Sequence, residues 1–200
     1  MVISHNKREQ TRLRILDAAA AAFRGRGFAA TGVDAVMSAA GLTHGGFYAH
    51  FTCKAELLRA AVQHSARPEA NAMLSAVAGL TGEELIATTI ERYLSLAHRD
   101  HPETGCLLPT IAAEVPRYDA GLTATVSGSF PGLAGMLARH LPGSAETAGA
   151  RARALVALMV GGVVAARALP LAEARVWLAS CRAAARNLAG LVPALIEEEA

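Results

Sequence analysis

The fold is decided by one stretch near the amino terminus, which reads Thr31-Gly-Val-Asp-Ala-Val-Met-Ser-Ala-Ala-Gly-Leu-Thr43 and continues as His44-Gly-Gly-Phe-Tyr-Ala-His-Phe51. Apolar residues recur at helical spacing on both sides of Gly41, and a threonine stands before each run as a capping residue. The pattern predicts two short helices joined by a glycine turn, over about residues 32–51. Such a pair needs a third helix on which to pack.

The flanking sequence supplies that helix and little besides helices. A first helix is predicted over about 7–24, ended by Gly25 and Gly27. A long helix follows from Thr52, with a kink or break at Pro68. Further helices are predicted at roughly 82–98, 106–114, 119–140, 146–168 and 171–192. Alternating runs of β-branched residues are nearly lacking, so the predicted fold class is all-α.

The charge of the chain is divided unevenly along its length. The formal net charge is +2, but residues 1–68 contain nine Lys or Arg against four Asp or Glu, whereas the remainder contains ten against thirteen. A basic end of net charge +5 is suited to a phosphate partner. Two short helices with a glycine turn inside this end are typical of a helix-turn-helix.

The same region resembles the TetR family of transcriptional regulators over about residues 8–68. The resemblance rests on Gly27-Phe-Ala-Ala-Thr31, Ala40-Gly-Leu-Thr43, Gly45-Gly-Phe-Tyr-Ala-His-Phe51 and Lys54-Ala-Glu-Leu-Leu58. It implies a helix-turn-helix DNA-binding domain over 8–68, followed by a helical effector-binding and dimerisation domain over 69–200. It also implies a regulator that is not an enzyme, most simply a repressor bound to a palindromic operator.

The resemblance assigns roles to residues of the motif. Thr31 and Lys54 are expected to hold phosphates, Tyr48 to touch the DNA backbone, and Thr43, His44 and His50 to approach base edges. His44 stands where the family often has lysine, and Gly45 and Gly46 offer no side chain, so recognition is expected to depend partly on DNA shape. Arg8, Arg12 and Arg14 are expected either to reach a phosphate or to be solvated.

The last two predicted helices form a long apolar pair. Along the last one, the apolar positions alternate steps of three and four and run Leu171, Ala174, Leu178, Cys181, Ala185, Leu188, Val192 and Leu195. Gly161 and Gly162 in the preceding helix allow close helix approach. The pattern predicts a homodimer interface that includes Gly162, Leu171, Leu178, Cys181 and Leu188; the alternative is an intramolecular core.

The middle of the chain offers candidates for a small-molecule site. Its mixed apolar and polar residues are expected to line a pocket, in particular Met73, Tyr93, His98, Ile111 and Met136. The sharper signal is Gly105-Cys-Leu-Leu-Pro-Thr-Ile-Ala-Ala-Glu-Val115, which resembles a Gly-Cys-Leu subset of the TetR family in which electrophile- and oxidant-responsive repressors occur. We therefore expect Cys106 to line the effector site and to react with electrophiles; the alternative is a packed thiol.

Other functions fit less well. A cysteine-dependent enzyme would use Cys106 with His98 or His101, but the sequence shows no recognisable orienting group beside them. A zinc site at the same residues is equally weak, and neither a metal nor another cofactor is expected. An activator of the same fold, or a body controlled by a protein partner, remains open. The polar start and the widely spaced cysteines favour a soluble cytoplasmic protein without a membrane span.

Overall fold

A computed structural model of the chain describes residues 2–67, 71–118 and 120–191. No strand is found in these ranges, and the α-helices are Val2–Ala30 (α1), Val33–Ala39 (α2), Lys54–Ser65 (α3), Ala72–Ser75 (α4), Gly82–Tyr93 (α5), Leu96–Asp100 (α6), Leu108–Ile111 (α7), Ala120–Ser127 (α8), Ser129–Ala138 (α9), Ala145–Ala168 (α10) and Leu171–Ala189 (α11). The predicted all-α class is confirmed. Short 3₁₀ helices cover His44–Ala49, Pro102–Thr104 and Val115–Arg117.

The first helix differs from its prediction at both ends. It begins at Val2, runs through Gly25 and continues to Ala30, so the prediction that Gly25 ends it is wrong. The helical geometry breaks only at Gly27, whose φ of 82° and ψ of 170° lie where residues with a Cβ are strained. Phe28 to Ala30 resume a final turn after this break.

Several longer predicted helices are divided by local breaks. The predicted 82–98 helix is split by Leu94, whose ψ of 48° is not helical. The predicted 106–114 helix is reduced to the single turn of α7. In contrast, α10 and α11 keep nearly their predicted bounds. Ser144 caps α10 by accepting from the Thr147 N–H, and Gly190 ends α11 in the left-handed conformation.

The chain divides into two compact units. The first comprises described residues within 1–78 and 101–129, and the second those within 79–100 and 130–200. In the first unit α1 packs against α2, α3 and α7 around a core that contains Ile15, Phe23, Met37, Phe47, Phe51 and Leu57. In the second unit α10 and α11 form the largest helix pair, flanked by α5 and α6. The predicted domain boundary after residue 68 stays a prediction.

One helix within the described residues, α10, has the length and composition that a membrane crossing would need. Its buried face includes Leu155, Met159 and Val163. A core helix of a globular unit meets the same criterion, so this finding is weak evidence for a membrane.

Candidate nucleic-acid interface

The helix-turn-helix in the first unit is α2 followed by the 3₁₀ helix His44–Ala49. Gly41 makes the turn between them with a φ of 67°, which requires glycine. Phe47 and Phe51 are buried beneath the second helix, with ring centroids 5.8 Å apart. The predicted turn is confirmed, and the two buried rings anchor the second helix.

Three arginines of α1 are tied to this motif by its own backbone and rings. Arg8 Nη2 donates to the carbonyl of Ala49 at 2.8 Å, and Arg14 donates to the carbonyl of Ala40, which ends α2. The Arg12 guanidinium lies 5.0 Å from the ring centre of Phe51. These side chains therefore help to hold α2 and the 3₁₀ helix His44–Ala49, which we name the reading helices, against α1. Arg8 and Arg14 are exposed, and a contact of any of the three with a phosphate stays a prediction.

The motif presents a continuous exposed surface at the start of its second helix. Thr43, His44, Gly45 and Tyr48 are exposed, and 65% of the Tyr48 side chain is open to solvent. Its ring is supported edge-on by Phe47 at 5.3 Å. His44 Nδ1 contacts the carboxylate of Asp34 on α2. Hydroxyl, imidazole and backbone groups are thus gathered on one face, as a groove-reading helix requires.

His50 lies apart from that face. Its side chain is half-buried, and its Nδ1 is enclosed without a hydrogen-bond partner among the described residues. Burial lowers the pKa of His50, and the positive charges of Arg8 and Arg12 lower it further. One edge of the ring is therefore turned into the protein, and the predicted approach of His50 to base edges stays a prediction.

Thr31 also differs from its prediction. The residue is fully buried, and its hydroxyl donates to the carbonyl of Gly27 at 2.6 Å. A hydroxyl used in this way closes the last turn of α1 and is withdrawn from solvent. The structure therefore contradicts a phosphate contact by the Thr31 side chain.

Lys54 begins α3 beside the end of α1. Its Nζ lies 3.3 Å from the carbonyl of Ala29 and 4.3 Å from the ring centre of Phe28. Burial lowers the pKa of Lys54, whereas the carboxylate of Glu114 opposes that shift. The ammonium thus lies at the final turn of α1, and its predicted phosphate contact stays a prediction.

Glu114 is a residue of this region that the sequence analysis did not single out. Its two carboxylate oxygens accept from the backbone N–H groups of Phe28 at 2.8 Å and Ala29 at 2.7 Å. A carboxylate that accepts two adjacent N–H groups makes strong, directional, charge-assisted bonds. The separation of 86 residues along the chain gave the sequence no signal for this contact.

Cys106 is half-buried in a segment that packs on α1, residues 101–118, which we name the Cys106 segment. The buried Arg24 of α1 donates to the carbonyl of Glu103 at 3.4 Å, and Thr110 donates to the carbonyl of Arg24 at 2.7 Å. Burial lowers the pKa of Arg24, while the nearby Cys106 and Asp17 act in the opposite direction.

The other two cysteines lie in contrasting surroundings. Cys53 is exposed before the first turn of α3, where a hydrogen bond from the Glu56 backbone lowers the pKa of the thiol. Cys181 is partly enclosed on α11, and burial raises its pKa. Reactivity toward an electrophile must therefore be tested at Cys53 as well as at Cys106.

The six predicted effector residues are divided between the two units. Met73, Cys106 and Ile111 belong to the first unit, whereas Tyr93, His98 and Met136 belong to the second. A groove of about 770 Å³ in the first unit is lined by residues of α1 and α2 together with Glu103, and by none of these six. Within the described residues, no group of three or more His, Cys, Asp or Glu is placed to hold a metal ion.

The predicted dimer face requires correction. Leu178 and Gly162 are buried within a single chain, and a Cβ at Gly162 would lie 2.9 Å from Leu94 and 3.1 Å from the sulfur of Cys181. Gly162, Leu178 and Cys181 thus belong to the intramolecular core, which was the alternative interpretation. Of the predicted residues, only Leu171 and Leu188 are exposed.

Comparison with known proteins agrees with the geometry of the first unit. Residues 15–61 match the family model for "Bacterial regulatory proteins, tetR family". These residues form a TetR-family N-terminal domain. The match includes most of α1, the helix-turn-helix and the first part of α3, and a comparison with curated proteins found no match.

Solved structures of TetR-family regulators share the fold along nearly the whole chain. A regulator from Cytophaga hutchinsonii aligns with a TM-score of 0.73 at 19% identity, covering 94% of this chain and 97% of that one. The reduced form of NemR from E. coli aligns with a TM-score of 0.70 at 19% identity, covering 89% and 96%. A regulator described as putative from Rhodococcus sp. gives 0.66 at 18% identity, covering 90% and 99%. At these identities the likeness concerns the fold.

Proposed function

We propose that this chain is a DNA-binding transcription regulator, a repressor that leaves a palindromic operator when a small molecule or an electrophile binds. The observation that supports it best is the TetR-family N-terminal domain whose helix-turn-helix exposes Thr43, His44 and Tyr48 on one face. The +5 charge of residues 1–68 favours association with DNA phosphates. Such a protein acts in the cytoplasm, where bacterial DNA is found.

A palindromic operator requires two reading heads, and the second unit offers a surface for pairing. Large apolar side chains are exposed on α10 and α11, namely Val164, Leu171, Val176, Trp177 and Leu188. Exposed apolar side chains grouped on two neighbouring helices favour burial against another chain. We propose that these two helices and their copies form a four-helix interface, which replaces the face predicted from the heptad pattern.

The proposed effector site is built around Cys106. The thiol is half-buried, close to the Arg24 guanidinium, and it belongs to a segment that packs directly on α1. Alkylation there would enlarge a side chain within a packed segment. We propose that this change displaces the segment and weakens operator binding, as in any two-state coupling between sites.

The test is fluorescence anisotropy with labelled DNA from upstream of the protein's own gene, at 50 and 200 mM salt. We expect specific binding that weakens by about 10³-fold or more between these salt concentrations, since several phosphates are neutralised. N-ethylmaleimide should weaken binding at least tenfold in the wild type and in Cys53→Ser, but not in Cys106→Ser.

The outcomes separate the parts of the proposal. Protection by Cys53→Ser instead of Cys106→Ser would move the sensor to the start of α3. Equal inhibition of all three proteins would exclude both Cys106 and Cys53 as the single sensor. A lack of specific binding to any upstream fragment would contradict the regulator itself.

A further inference from the structure

The final turn of α1 is held from two sides by groups distant in sequence. On its N–H side, Glu114 accepts from Phe28 and Ala29; on its carbonyl side, Lys54 lies 3.3 Å from Ala29. The Phe28 ring packs edge-on against Tyr118 at 5.6 Å, so the Cys106 segment touches this turn through a ring as well as a carboxylate. Both the N–H groups and a carbonyl group of this three-residue turn are thus bound by residues distant in sequence.

This turn, Phe28 to Ala30, joins the regular part of α1 before Gly27 to α2 and the 3₁₀ helix His44–Ala49. It follows the backbone break at Gly27 and is followed after Thr31 and Gly32 by α2. A broken helix can bend at its break unless the residues beyond it are fixed. The Thr31 hydroxyl spans the break by donating to the carbonyl of Gly27. The Glu114 carboxylate adds a restraint from another part of the chain by accepting from the first two N–H groups after the break.

The glycine at the break is itself fitted to Glu114. A Cβ built on Gly27 would lie 2.7 Å from Oε2 of Glu114, in addition to the strain from its φ of 82°. The carboxylate therefore occupies a space that any larger residue at position 27 would fill. Gly27 and Glu114 form one structural arrangement although they lie far apart in sequence.

We propose that Glu114 is a positioning residue for DNA binding, which fixes the Gly27 break and so sets the orientation of α2 and the 3₁₀ helix His44–Ala49. The inference rests on the proposed function in that the positioned helices read DNA. Because Glu114 and Cys106 belong to the same segment, movement of that segment alters the restraint on the break. The contact at Glu114 then determines how firmly the reading helices are held for the operator.

The first experiment needs no DNA. Glu114→Gln keeps the size of the side chain but replaces one acceptor oxygen by an amide that faces an N–H donor. We expect amide hydrogen exchange at Phe28 or Ala29 to accelerate at least tenfold. Residual dipolar couplings should show α2 in a changed or averaged orientation relative to residues 8–24. Unchanged exchange and unchanged couplings would overturn the proposal.

The second experiment measures affinity for the upstream DNA with matched variants. Glu103→Gln removes the same charge from the same segment, where the carboxylate is exposed and lies 3.5 Å from Nδ1 of His101. We expect Glu114→Gln to weaken binding about tenfold while Glu103→Gln stays within twofold of wild type. Glu114→Asp keeps the charge but shortens the reach, so it should behave like the glutamine variant if geometry matters.

The two experiments distinguish a failure of the proposed function from a failure of the proposed role of Glu114. If wild type binds no upstream fragment specifically, the proposed function fails, and exchange and couplings alone still decide whether Glu114 fixes the break. If wild type binds and Glu114→Gln binds equally well, the positioning role is overturned while the regulator stands. A lower melting temperature with unaltered couplings would indicate stabilisation only, and would also overturn positioning.

Discussion

At the scale of single residues, the buried polar groups depart most from what their types suggest. His98 is 4% exposed, and its Nδ1–H donates to the carbonyl of Tyr93 at 2.7 Å. Their rings meet edge-on at 4.6 Å. Burial lowers the pKa of His98 to about 4, with the positive charge of Arg167 acting in the same direction. The residue is therefore a neutral part of the second unit's core at neutral pH.

This shift predicts how stability depends on pH. The folded-state pKa of His98 lies below the unfolded value of about 6.5. Above pH 6.5 the ring is neutral in both states, so the contribution of this group to the free energy of unfolding is at its maximum. The effect declines as pH falls toward 4, with a total loss of up to about 3 kcal/mol from this group. Urea unfolding of wild type and His98→Asn at pH 7.5, 5.5 and 4.5 measures it.

The slope should be smaller in His98→Asn, which has no group to protonate. Identical slopes for wild type and His98→Asn would contradict the assignment.

At the scale of helices, α10 contains two neighbouring glycines in opposite environments. Gly162 faces Leu94 and Cys181 inside the second unit, whereas nothing lies within 4 Å of a Cβ built on Gly161. The two glycines thus have the same helix propensity, but only Gly161 has room for a side chain. Of these two glycines, only Gly162 lies where the helix approaches its neighbours closely.

Alanine at each position should therefore have opposite effects. Gly162→Ala introduces a methyl group 2.9 Å from Leu94, and we expect a destabilisation of about 1–3 kcal/mol from overpacking. Within a single chain, Gly161→Ala should stabilise the helix by up to about 1 kcal/mol, because alanine is the better helix former. Chemical unfolding of both variants measures the two changes in the free energy of unfolding. Equal changes would show that Leu94 and Cys181 move to accommodate the methyl group at position 162.

At the scale of the whole molecule, the exposed apolar residues of α10 and α11 predict a dimer. Trp177 and Val176 are 48% and 68% exposed, which is costly for such side chains in a single chain. Trp177→Lys should therefore shift the protein toward monomer by at least tenfold in dissociation constant. Sedimentation over a concentration series measures the shift, and Arg175→Glu, an equally exposed change on α11, should leave the dimer intact.

A Trp177→Lys protein that still sediments as a dimer would place the interface elsewhere. If it is monomeric, its affinity for the upstream DNA should also fall, because two linked heads bind a palindrome more tightly than one.

The all-α class, the helix-turn-helix over about 32–51 and its glycine turn could be predicted from the sequence, because spacing, capping and turn residues act locally. Thr43, His44 and Tyr48, which the sequence placed in the motif, are exposed. Which face of α11 is internal depends on packing between helices, since a seam of apolar residues looks the same whether its partner is α10 or another chain. The burial of Thr31 and the bonds from Glu114 to Phe28 and Ala29 likewise depend on contacts between distant segments, which no local pattern records.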